Sequence, residues 1–86
     1  MNRSVLEILG DAAENNIAAS IAQVAGSVSP SSAADRTKGE IDMAYKLKLI
    51  DYPRRDLLLS QLRIVANHRR TELRKQQNQK ILERSA

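Results

Sequence analysis

The residues best able to do chemistry in this chain are a cluster of cations, a single histidine and scattered carboxylates. The segment HRRTELRKQQNQK (68–80) carries Arg69, Arg70, Arg74, Lys75 and Lys80, which can pair with phosphates or with the carboxylates of an acidic partner. Each phosphate contact would add salt-sensitive affinity, and Asn67, Gln76, Gln77 and Asn78 have the amide groups that read base edges. On helical spacing Arg70 and Arg74 share a face while Arg69 and Lys75 turn elsewhere, so the cations form no single stripe. No leucine heptad follows to dimerise the segment as in a zipper-type reader. A protein partner therefore fits the scatter better, and Arg69, Arg70 and Arg74 are assigned to that contact. A DNA- or RNA-binding regulator using 68–80 is the alternative.

Nothing in the chain spells a catalytic constellation. His68 stands four residues before Glu72 and can pair with it along a helix, which an ordinary surface or interface histidine explains. Asp11 with Glu14, and Glu40 with Asp42, read as exposed helix charges. There is no glycine-rich phosphate loop and no histidine set against a cysteine or aspartate at useful spacing. With no cysteine and one histidine, neither a disulfide nor a zinc centre is expected. The expectation is a protein without enzymatic activity, metal or cofactor.

Charge is unevenly distributed. Residues 1–35 set one arginine against four carboxylates, whereas residues 53–86 set nine arginines and lysines against three carboxylates. An acidic start and a basic end suit self-docking or two different partner surfaces. No apolar run approaches the roughly 18–20 residues that span a bilayer. Glu7 and Asp11 interrupt the N-terminal MNRSVLEILGD, so it does not read as a signal peptide, and a cytoplasmic location is expected.

The element that must carry the cations is the stretch 53–84. It has no glycine, no proline after Pro53, and is rich in Leu, Arg, Gln, Lys and Glu, all good helix formers. Asp51 can cap its start, and Pro53 fits a first turn because it has no N–H to lose. Leu58, Leu62, Val65 and Leu73 fall at helical spacing, with Leu59 and Ala66 widening the stripe. Such a helix would run to about 45 Å at 1.5 Å per residue, longer than the roughly 25–30 Å of a compact chain this size. Leu57 and Ile64 add apolar surface that a two-helix hairpin alone cannot bury, so part of the block must meet the first helix or another subunit. Leu58, Leu62, Val65 and Leu73 are therefore assigned to self-association in a homodimer or higher homo-oligomer.

Upstream, residues 4–26 predict a first helix, with Ser4 and Glu7 at capping-box spacing and Gly26 as a stop. Val5, Leu9, Ala12 or Ala13, Ile17, Ile21 and Val24 form its apolar face. Gly10 and the pair Asn15-Asn16 predict a bend or break near 10–16. Residues 27–35, SVSPSSAAD, read as a flexible Ser/Pro linker. Ser32 with Asp35 then predicts a second helix from about 33 to 49. Its apolar set is Ile41, Ala44 and Tyr45, with Met43, Leu47 and Leu49 beside it. Leu49, Ile50 and Tyr52 plug the corner of a hairpin with the long helix. The fold class is all-α: an N-terminal helix (1–26), a linker (27–35) and a helical hairpin (36–86) with a long, self-associating second arm.

The segment AYKLKLIDYPRRDLLLSQLRIVANHRRTELR (44–74) resembles the C-terminal half of small helical antirepressors of temperate, lambdoid-type phages. The likeness rests on a tyrosine-containing helix, an LIDY turn, and a helix that is Leu-rich and then Arg-rich. It implies a homo-oligomer that binds a phage repressor and makes it release its operator, and it carries no residue roles with it.

Overall fold

The computed structural model describes residues 3–85 as an all-α chain of three helices. Met1, Asn2 and Ala86, at the outer ends of the expected 1–26 and 36–86 segments, lie outside the described residues. Helix α1 spans Val5–Ala25, α2 Pro30–Lys46 and α3 Tyr52–Ser85. The outline is a rod of 66 × 21 × 16 Å.

Two of the expected caps form. The Glu7 amide donates to Ser4 Oγ at 3.1 Å, and the Arg54 amide donates to Asp51 Oδ1 at 2.9 Å. Gly26 ends α1 as expected. The linker is shorter than expected: Pro30 opens α2 instead of breaking a helix, because its missing N–H is lost harmlessly in a first turn. The connection shrinks to the few residues between Ala25 and Pro30, and Ser29, not Ser32, is the N-cap residue. Nor does α1 break near 10–16; Gly10 lies within one continuous helix.

The turn between α2 and α3 explains why a glycine sits there. Lys48 adopts a left-handed backbone (φ 61°). Its amide donates to Tyr45 O at 3.0 Å, and the Leu49 amide donates to Ala44 O at 2.9 Å. These are the paired bonds of a Schellman motif, which satisfy the last carbonyls of α2. The reversal brings the Leu49 carbonyl against α1, where a Cβ on Gly10 would meet that oxygen at 2.7 Å.

The core is Ile17, Ile21 and Val24 from α1, Ile41 and Ala44 from α2, Ile50 from the turn, and Leu58, Leu62 and Ala66 from α3. Ala13, Ala33, Ala34, Leu49, Leu59 and Val65 pack around it. Buried Thr37 donates its hydroxyl to Ala33 O at 3.0 Å, so the one buried polar side chain among the described residues is satisfied. Ile50 plugs the corner, whereas Tyr52 stays exposed and meets Tyr45 edge-on at 6.3 Å between ring centres. Arg55 closes that corner, lying 5.3 Å over the Tyr45 ring and 3.1 Å from Asp42 Oδ1.

Leu58 and Leu62, expected to be self-association residues, are instead 3% and 5% exposed within their own subunit. Of the two covers open to this block, the first helix or another subunit, α1 takes Leu58 and Leu62, while Leu57 and Ile64 stay exposed. Past Leu73 every residue of 74–84 is exposed, with only Arg74 and Gln77 beside the start of α2. The long helix thus ends in a polar arm, not in an oily one.

Two substitutions check this local geometry. Gly10→Ala gains about 1 kcal/mol of helix propensity, yet a thermal melt is expected to place it below wild type because the Leu49 carbonyl must give way. Lys48→Gly is expected to melt higher, by about 1 kcal/mol, since glycine takes the left-handed conformation without strain.

Candidate interaction site

The cations singled out by sequence divide into two groups. Arg69 is anchored: its Nε donates to Ser27 O at 2.8 Å, its side chain is 16% exposed, and Glu72 lies 3.9 Å away. Arg70 donates to Ser31 Oγ at 3.1 Å and to Asn67 Oδ1. Both therefore fasten the α1–α2 connection and the start of α2 onto α3. Arg74 is different: it is exposed, on a ledge shared with Ser29, Pro30, Leu73 and Gln77. Of the three assigned partner contacts, only Arg74 remains uncommitted. Spacing alone cannot reveal this, because the acceptor on Ser27 is 42 residues away in sequence.

The self-association set divides in the same way. Leu58 and Leu62 belong to the core, Val65 packs against it, and Leu73 is half-buried further along α3. None of the four offers a fully open apolar face.

The carboxylates are tied up as well. Arg3 pairs with Glu7 and Asp11, Arg54 with Glu14 at 2.7 Å, and Arg55 with Asp42. Glu40 accepts from Ser20 Oγ at 2.8 Å, which links α2 to α1. His68 Nε2 lies 3.7 Å from Glu72 on a well-exposed surface. Among the described residues, no group of three or more His, Cys, Asp or Glu could hold a metal ion. No helix among them is long and apolar enough to cross a membrane.

The surface that sequence reasoning missed is a groove of about 750 Å³ between α1 and α2, on the flank that α3 does not cover. Ala13, Asn16, Ile17, Ala19, Ser20 and Gln23 line it from α1; Gly39, Glu40, Met43 and Ala44 line it from α2, and Leu47 just past its end. Small residues along both helices leave room between them, and exposed Met43 and Leu47 supply apolar rims. Val5 and Leu9 precede Ala13 on the same side of α1 at four-residue spacing, and both are open, Val5 at 72% exposure. The available signal was Ala13 and Ala19 on α1, with Met43 and Leu47 four residues apart at the end of α2. No family model matches the chain, and neither a curated protein nor a solved structure matches it.

The division of the arginines is measurable. Arg69→Gln removes a charge-assisted bond to a partly buried carbonyl and is expected to destabilise the chain by about 1.5 kcal/mol in urea unfolding. Arg74→Gln is expected to stay within about 0.5 kcal/mol of wild type. Equal effects would erase the distinction.

Proposed function

We propose that this chain is a small cytoplasmic regulatory protein that acts by stoichiometric protein binding, without catalysis. Its most specific form is a phage antirepressor that binds a DNA-binding repressor and makes it release its operator. The α1–α2 groove is the observation that carries the binding reading. Its apolar rims and small-residue walls suit a helix laid along it, the helix-in-groove mode of recognition. The antirepressor form is supported by the resemblance of residues 44–74.

Surface area argues in the same direction. The chain exposes 6517 Å², against about 5,100 Å² for a compact protein of its mass. Specific interfaces take roughly 800 Å² from each partner, so the excess is large enough for one. Part of it is the polar end of α3, and part is apolar surface at the start of α1, at Met43 and Leu47 of the groove, and at Leu57 and Ile64 of α3. We assign self-association in a homodimer or higher oligomer to Val5, Leu6, Ile8 and Leu9, in place of the buried Leu58 and Leu62.

The test is a titration of the purified chain into operator complexes of a panel of temperate-phage repressors. Release of operator is expected to saturate at a fixed whole-number ratio, and Met43→Glu with Leu47→Glu is expected to abolish it while leaving the thermal melt intact. Release by sub-stoichiometric protein, release unaffected by the double variant, or no release from any repressor would refute the reading.

A further inference from the structure

The end of α3 has a surface chemistry opposite to that of the groove, and it calls for a different partner. Residues 74–84 carry Arg74, Lys75, Lys80 and Arg84 against one carboxylate, Glu83, and all are exposed. None of those four cations has an ion-pair partner among the described residues. Gln76, Gln77, Asn78 and Gln79 fill the middle of the segment. Its apolar residues, Ile81 and Leu82, are consecutive near the tip and so diverge by about 100° around the helix. They build no stripe. A protein interface needs a desolvated apolar core and is depleted in lysine, and this arm supplies neither condition.

We infer that residues 74–84 form an arm that enters the major groove of a B-form DNA duplex, holding it through phosphates on both strands. This concerns a surface separate from the α1–α2 groove and does not depend on the protein-binding reading. The spread of cations around the helix, a weakness when α3 is imagined against a body, becomes the useful feature once the arm stands clear. A helix lying in a groove has a phosphate wall on either side, and cations on opposite flanks reach both. The arm is about 16 Å long at 1.5 Å per residue, and the major groove is about 12 Å wide, enough to admit a helix. An A-form RNA duplex offers a deep, narrow major groove that excludes one. The segment that carries the contact is 74–84 and not 68–80, because Arg69, Arg70 and Asn67 are held within the fold.

Fluorescence anisotropy of the full chain with a labelled random-sequence duplex of about 20 bp tests this across 50–200 mM salt. Four phosphate contacts are expected to give a log–log slope of about −3.6 per bound chain, or a loss of roughly 150-fold in affinity over that range. The variant R74Q/K75Q/K80Q/R84Q touches no core residue, so circular dichroism should show it folded, and its binding at low salt should fall at least about tenfold with a flattened slope. The inference is overturned if about 100 µM protein fails to bind the duplex at the lowest salt, or if the folded variant binds like wild type. It is equally overturned if an RNA duplex binds as well as DNA. Tighter binding of polyglutamate than of the duplex at equal charge concentration would overturn it too, and would identify an acidic protein surface as the partner.

Discussion

Leu58, Leu62 and Ala66 of α3, packed against Ile17, Ile21 and Val24 of α1 and Ile41 and Ala44 of α2, hold the three helices in one rod. The core contains no aromatic ring, so its members are aliphatic and several are small. Small side chains stabilise only when backbones come close, because each buries little apolar area. That requirement reaches outward from the core. It demands a Cβ-free position at Gly10 where the Leu49 carbonyl arrives. The same requirement leaves a shallow channel between α1 and α2 on the flank that α3 does not fill.

The core also fixes where order by packing stops. Its last buried member on α3 is Ala66, and Leu73 marks the final half-buried apolar position. Arg69 and Arg70 tie the α1–α2 connection down at that level, so their charges serve the fold. Below that level the chain is a three-helix body; beyond it α3 continues alone. The apolar groove and the exposed cations of α3 thereby fall at different levels of the rod, although Ile81 and Leu82 are exposed among the cations. The start of α1 and its groove expose Val5, Leu9, Met43 and Leu47, while the far end exposes Arg74, Lys75, Lys80 and Arg84. One small chain can thus present two chemically distinct docking surfaces.

Much of this architecture is legible in the residues alone. Local signals did well: Ser4 and Asp51 cap as their types require, Gly26 ends α1, and the 3.6-residue periodicity of 53–84 marks a long helix. Pro30 was misread because the same residue that ends one helix can open the next; nothing local distinguishes Ser-Pro as linker from Ser-Pro as helix start. Leu58 and Leu62 were correctly seen as needing cover, but which helix covers them is a long-range fact. For the interaction surfaces the limit was sharper. Arg69, Arg70 and Arg74 look equivalent in sequence, and only the return of the chain at Ser27 and Ser31 separates two structural arginines from an uncommitted one. The α1–α2 groove is an absence of bulk between two helices, which periodicity does not record.

Backbone hydrogen exchange along α3, read residue by residue at micromolar concentration, addresses this account most directly. Amides from about Leu58 to Arg70 should exchange only through global unfolding, and protection should fall steeply past Leu73, with residues 76–84 close to the rates of a fraying helix. Uniform, core-like protection through residue 84 would contradict it, because the far end of α3 would then be covered and the separation of core from arm would not exist.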